Sequence, residues 1–136
     1  QYLEKYGEPE SPDDLRGHKF IDLIGAGNWA FKTPKGSQNV KHQGPLRMDN
    51  GEALRDACVN GIGITICSVW CAYQKLNSGE LVEILSDYPL DMNVDIWAVY
   101  PSSRMLAPKV RAFIDYFADH FGENPYWEAG WVETGA

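Results

Sequence analysis

The most chemically suggestive spacing in this chain is Gly25-Ala26-Gly27-Asn28-Trp29-Ala30, which follows the apolar run at residues 19–24. It fits the G-x-G-x-x-G/A pattern that cradles a dinucleotide pyrophosphate. That chemistry requires the glycines to open a helix, because the amides of a helix N-terminus receive the phosphates. Here Pro34 and Gly36 follow Phe31 closely and break any helix before its second turn. The context therefore argues against a nucleotide. What remains is a loop at the carboxyl end of a strand, where α/β sheets place ligand sites. Gly25 and Gly27 would let a ligand approach backbone amides closely, and Asn28 adds a side-chain donor and acceptor. A plain flexible loop is the competing reading.

Other reactive groups are sparse. Cys58, Cys67 and Cys71 are an odd number without a CxxC pair, which favours small buried hydrophobes in a reducing cytoplasm. A thiol switch at Cys67 and Cys71 is the alternative. No histidine or second cysteine pair stands at zinc-ligand spacing, so no metal is expected. His18, Asp22, Asp49 and Asp56 could form an acid–base set. No nucleophile elbow, zinc motif or phosphate loop in its proper context accompanies them, so an enzyme is not expected and no cofactor is implied. The lone His18 at a helix end reads as a structural hydrogen-bonder.

These groups must be positioned by an α/β framework. Residues 48–70 read as a helix feeding a buried strand. Asp49 or Asn50 caps the helix, with Glu52 at capping-box distance from Asp49. Ala53, Leu54, Ala57 and Cys58 share one face, and Gly61 suits the left-handed stop. Ile62, Ile64 and Ile66 then alternate with smaller residues, a strand signal. Upstream, a short turn over residues 2–6 ends at Gly7, and Ser11 caps a second turn with Pro12 at its first position. Strands are predicted at 19–24, at 29–32 with a hairpin return through His42, and at 46–48.

Downstream, Trp70, Tyr73 and Leu76 mark a helix stopped at Asn77-Ser78-Gly79, and residues 81–85 read as an apolar strand. A linker at 87–93 leads to an apolar strand at 95–100, ended by Pro101. The last helix starts near Pro108, carries Val110, Phe113, Ile114, Phe117 and Phe121 as a core-type stripe, and closes at Gly122. Two tryptophans in the tail lack periodicity.

The chain has 136 residues and a net charge of −7. The length fits one domain. A duplex-binding surface needs clustered Lys and Arg, and no such cluster occurs, so any DNA would be held elsewhere. No apolar run approaches the roughly 18–20 residues that cross a bilayer, and no membrane association is expected. The chain opens on Gln1 rather than methionine, as a fragment would.

Four stretches, in order, resemble one family. GEALRDACVNGIGITICSVW is similar to the effector-domain segment of LysR-type transcriptional regulators, a GEALRDA helix followed by GIGI and an apolar strand. YLEKYGEPESPDDLRGHKFI resembles the family's YL-x-x-x-G-x-P-x-x-P-x-DL-x-x-H segment. ELVEILSDYP and AVYPSSRMLAPKVRAFIDYFADHF resemble its closing strand, crossover and last helix. The resemblance covers residues 2–121, with Ser68 where the family often has proline.

The resemblance implies an α/β fold. It is the second lobe of a periplasmic-binding-protein-like (type 2) effector domain, plus the return strand and helix of the first lobe. Residues 1–90 would form the second lobe, 91–122 the crossover strand and C-terminal helix belonging to the first, and 123–136 a tail. The implied function is cytoplasmic sensing of a small-molecule effector, held between two lobes, for a bacterial regulator. DNA would be bound only through a helix-turn-helix domain absent from this chain. Ligand contacts are expected from Ile24, Gly25, Ala26, Gly27 and Asn28, and more weakly from Thr65. The family's dimer or tetramer contact implies Leu54, Arg55 and Cys58 as interfacial, against a core role for Leu54 and Cys58. A periplasmic-type solute-binding protein fragment is the alternative function.

Overall fold

In the computed structural model, residues 1–41, 44–92, 96–100 and 107–128 are described. The organising strand is β1 (Ile21–Leu23), short because its neighbours grip it on both sides. It pairs in parallel with β4 (Leu46–Met48) in the register Ile21↔Leu46, Asp22↔Arg47 and Leu23↔Met48. On its other side Phe20 forms a parallel bridge to Ile64. There the Ile64 amide donates to the Lys19 carbonyl at 2.9 Å and the Ile21 amide to the Ile64 carbonyl at 2.9 Å. Both flanks come so close that side chains are excluded. A Cβ on Gly44 would lie 1.7 Å from the Phe20 carbonyl oxygen, and one on Gly63 would lie 2.5 Å from that of Lys19.

Parallel pairing of β1 with β4 needs a crossover, and the chain supplies it as a hairpin. Strands β2 (Trp29–Thr33) and β3 (Gly36–Val40) pair antiparallel from Trp29↔Val40 to Thr33↔Gly36. The hairpin predicted from the sequence is present; His42 lies outside the described residues. At the chain start, α1 (Tyr2–Tyr6) is tied to the sheet by the Lys19 amide, which donates to the Tyr2 hydroxyl at 2.8 Å. The next turn is a 3-10 helix over Asp14–Gly17. Its start reverses the expected cap: Asp14 Oδ2 accepts from the Ser11 hydroxyl at 2.8 Å and the Ser11 amide at 2.9 Å.

Alternation along the strand divides the core into two faces. Phe20 points into a cluster with Tyr2, Leu15, Trp29, Phe31, Val40 and Ile64, and its ring meets that of Trp29 edge-on at 4.9 Å. Ile21 points the other way, into Leu54 and Ala57 of α2 (Gly51–Val59). The cap of α2 is Asn50, whose Oδ1 accepts from the Ala53 amide at 2.9 Å; the Asp49–Glu52 box is not the one formed. Of the predicted apolar face, Leu54 and Ala57 are buried, Cys58 is half-buried, and Ala53 is exposed. Gly61 takes the left-handed stop, at φ 72°. Helix α3 (Val69–Asn77) packs beside α2 and buries Cys71 and Ala72.

Three predicted strands do not form as such. The 62–66 segment contributes only the bridge at Ile64, because it meets β1 on one flank and finds no second ladder among the described residues. Residues 81–85 are not a strand. The Leu81 amide folds back to the Lys75 carbonyl at 2.9 Å, and Leu85 at φ 57° breaks the extended backbone. Residues 96–100 have no strand neighbour among the described residues, and Trp97 is 78% exposed; Asp95 and Pro101 lie outside the described residues.

The last helix, α4 (Pro108–Phe121), forms with Pro108 at its start and ends at Gly122, as the sequence predicts. Its stripe is not core: none of its residues is buried, and Phe113 is 62% exposed. Aromatic contacts are what α4 has. Phe121 meets Trp127 at 5.3 Å, and Tyr126, in the turn beyond, meets Tyr73 of α3 at 5.7 Å. Trp131 lies outside the described residues.

The three cysteines are free. The Cys58 thiol donates to the Gly63 carbonyl at 3.2 Å, and burial pushes its pKa up. Burial, reinforced by the neighbouring Cys71, pushes Cys67 up to about 12. Reactive thiols need the thiolate, so this placement favours packing over redox chemistry at Cys67.

Two measurements check this core. Leu54→Ala is expected to cost about 2–5 kcal/mol in urea unfolding, the usual range for emptying a buried leucine site. Cys67 in the folded chain is expected to react with iodoacetamide at pH 8 at least about a hundredfold more slowly than in urea, since little of it is thiolate. The same shift sets a sign: unfolded Cys67 ionises before the folded thiol does. Its contribution to stability therefore falls as pH rises from about 9 toward 12. Replacing it by alanine should flatten that decline.

Candidate functional site

The carboxyl ends of β1 and β4 open on the same side, because the strands are parallel. There the chain leaves β1 through residues 24–28 and leaves β4 toward the Asn50 cap of α2. The Ile24 amide donates to the Met48 carbonyl at 2.7 Å, extending the β1–β4 pairing by one bond. The Ala26 amide donates to the Leu23 carbonyl at 3.1 Å and closes a tight turn. Gly25 and Gly27 have φ 90° and 70°, conformations that L side chains rarely adopt. The turn therefore needs both glycines for its shape, and no helix follows it. The chain runs straight into β2, so the glycines open no helix whose N-terminus could receive a dinucleotide pyrophosphate.

All of residues 24–28 are exposed, including Ile24. The structure thus brings Ile24, Gly25, Ala26, Gly27 and Asn28 together on one turn at a sheet's carboxyl edge. Beneath the sheet ends lies Asp22, a buried carboxylate that accepts from the Gly44 amide at 3.3 Å. Asp22 sits in backbone packing, whereas Asp49, ahead of the α2 cap, and Asp56 on α2 are exposed. Asp56 pairs with Arg55, with the Arg55 Nη2 at 2.8 Å from its Oδ1.

Thr65 is elsewhere. It is half-buried, and its hydroxyl donates to the Ile21 carbonyl at 2.9 Å. It lines an open cleft of about 680 Å³ bordered by the sheet edge, α3 and residues 81–90. A second space of about 480 Å³ shares Cys58, Ile64, Thr65 and Leu81 with it. Neither includes a residue of the 24–28 turn. The sequence reading missed this cleft. The available signal was the 81–85 alternation, whose apolar residues become its lining instead of a strand.

The expected interface residues also have places. Leu54 is 1% exposed and packs on Ile21 and Ala57, the core alternative. Arg55 bridges two helices: its Nε donates to Asp56 at 2.9 Å and its Nη1 to the Cys71 carbonyl at 3.1 Å. Cys58 lies half-buried behind them.

Comparison with known proteins places this geometry. The LysR substrate binding domain model matches residues 1–122. The chain is 30% identical over 134 residues to the HTH-type transcriptional regulator DmlR of Escherichia coli K12, covering 91% of this chain and 41% of that protein. Its fold is similar to the regulatory domain of CrgA, a LysR-type transcriptional regulator from Neisseria meningitidis. That similarity has TM-score 0.76 and 28% identity, over 89% of this chain and 61% of that one. The regulatory domain of AphB from Vibrio vulnificus matches with TM-score 0.71 and 28% identity, over 87% and 59% of the two chains. The chain spans less than half the length of the curated relative it matches. Those relatives are regulators, which favours effector binding for transcription over the solute-binding alternative. No helix among the described residues is long and apolar enough to cross a membrane. With its periplasmic-binding-protein-like α/β fold, the chain belongs to the LysR substrate-binding domain family.

Proposed function

We propose that this domain senses a small metabolite for a cytoplasmic transcriptional regulator, binding it between two lobes and performing no chemistry on it. Residues 1–90 are the second lobe, 91–122 the crossover and a helix that completes the first lobe, and 123–136 a tail. The observation that carries this reading is the turn at residues 24–28, fully exposed at the carboxyl edge of parallel strands and shaped by two left-handed glycines. Such an edge is where open α/β sheets take ligands. Asn28 offers a side-chain amide with both donor and acceptor character.

The helix α4 supports the division into lobes. A 14-residue helix with an aromatic stripe and no buried residue is stable only against a partner surface. The matched relatives carry further sequence. In this reading that sequence includes the rest of the first lobe, which covers Phe113 and Phe117, and a helix-turn-helix domain that binds DNA. Ligand capture would favour one lobe arrangement over another, and the regulator reads that difference as a change in packing within a homodimer or tetramer. Helix α2 lies at that contact, with Arg55 and Cys58 at its margin. Leu54 supports the helix from beneath.

Two experiments test the reading on the complete regulator. A thermal-shift screen of small metabolites should return at least one hit whose affinity falls about 3–10-fold in Asn28→Ala, the loss of one hydrogen bond, with melting temperature unchanged. Unaltered affinity for every hit would remove the turn from the site. Phe113→Asp is expected to leave the 136-residue chain nearly as stable as before, because the ring is exposed there. In the complete regulator it should cost about 3–5 kcal/mol, comparable to loss of a buried aromatic. Equal, small effects in both would deny α4 its place in a first lobe.

A further inference from the structure

We infer that Asn50 is a self-modification site, where the backbone nitrogen of Gly51 converts the side-chain amide to a carboxylate with water as the only co-reactant. The chain has seven asparagines, and two of them, Asn50 and Asn60, precede glycine. A residue with a side chain hinders the approach of its own nitrogen to the preceding asparagine, and glycine does not. The two Asn-Gly pairs stand at opposite ends of α2, with Asn50 as its N-cap and Asn60 as its C-cap. Both asparagines are exposed, so access of water does not separate them. Their hydrogen bonds do.

Every atom of the reaction can be followed. The Gly51 N–H gives its proton to solvent base, and the nitrogen attacks Asn50 Cγ. The N–Cγ bond forms, the Cγ–Nδ2 bond breaks, and ammonia leaves with a proton from water. Water then opens the five-membered ring at either carbonyl. The product is aspartate, or its isomer in which the main chain runs through the side chain. Either one adds a negative charge to the start of α2, beside Asp49.

The nucleophile and the leaving group must both be free, and at the start of α2 they are. Gly51 is the first helical residue, where an amide has no partner within the helix. Neither its amide nor Asn50 Nδ2 makes a hydrogen bond among the described residues. Only Asn50 Oδ1 is engaged, by the Ala53 amide at 2.9 Å. At the other end of α2 both groups are held. Asn60 Nδ2 donates to the Asp56 carbonyl at 2.7 Å, and the Gly61 amide donates to the Cys58 carbonyl at 2.9 Å. A bonded amide loses its proton only after local opening.

Ring closure also turns the asparagine backbone about ψ. At Asn50 this opens the cap and the first helical bond, from the Leu54 amide to the Asn50 carbonyl at 3.1 Å. Helix ends fray readily. At Asn60 the turn parts the two held groups and also the Ile62 amide from the Ala57 carbonyl, a bond of 3.2 Å.

The test is a time course of the 136-residue chain at pH 8, read by tryptic mass mapping. Cleavage after Arg47, Arg55 and Lys75 puts Asn50 in the 48–55 peptide and Asn60 in the 56–75 peptide. In the folded chain the amide-to-acid mass gain is expected about tenfold faster in the first, the factor of one or two further hydrogen bonds to open. In urea the two rates should converge, because only the fold separates them. Gly51→Ala should slow the first peptide alone. Its Cβ would stand 3.9 Å from Cys71 Sγ, an ordinary contact, so the helix accepts it. Equal rates in the folded chain, or faster change in the 56–75 peptide, would overturn the assignment. So would a difference that persists undiminished in urea.

Discussion

Everything in this lobe hangs on how closely two neighbours approach the backbone at residues 19–21. Gly63 on one flank and Gly44 on the other have no side chain, and no side chain would fit. That closeness fixes three segments, distant in sequence, into one parallel arrangement with β1 in the centre. It also fixes polarity. Parallel strands end together, so the turn after β1 and the cap of α2 must emerge at the same edge. Larger residues at either glycine would push a flank away, and with it the hydrogen bonds that close the sheet. The position of the exposed turn is thus a consequence of backbone contact, before any ligand is considered.

The same strand decides which residues are core. Phe20 and Ile21 are adjacent, so they face opposite ways and recruit separate clusters. The Phe20 face gathers rings from α1 and β2. The Ile21 face is a thin seam filled by Leu54 and Ala57, with thiols at its margin. Burying Cys67 there favours its protonated form, and all three cysteines are free thiols. The Arg55 guanidinium then ties α2 to α3 over that seam through the Cys71 carbonyl.

Local signals in the sequence were legible wherever neighbours in the chain decide the outcome. Asn50 as a cap, Gly61 as a stop, the 29–40 hairpin and the bounds of α4 follow from side-chain hydrogen bonds, left-handed glycine and proline geometry. The readings at 62–66, 81–85 and 96–100 failed for a shared reason: an apolar alternating run states only that a strand would be stable if flanked. Ile64 finds one flank. Leu81 is drawn back to α3, and Trp97 meets no strand among the described residues. The stripe on α4 has the same lesson, since amphipathicity names the face to be covered and not the surface that covers it. The fingerprint at Gly25 was readable as a turn because Pro34 lies beyond it. The cleft was not readable, for its walls come from β2, α3 and a segment whose failure to form a strand is what opens it.

The exposed turn and the core behind it follow from this construction. At the sheet edge, an exposed turn presents backbone and an amide side chain to solvent, so it can hold a polar molecule only when a second surface closes over it. Behind it, the rings of Trp29 and Phe31 are packed into the core with Phe20 and Ile64. The two are linked through β1: Thr65 donates to the carbonyl of Ile21, whose strand continues directly into the turn at residue 24.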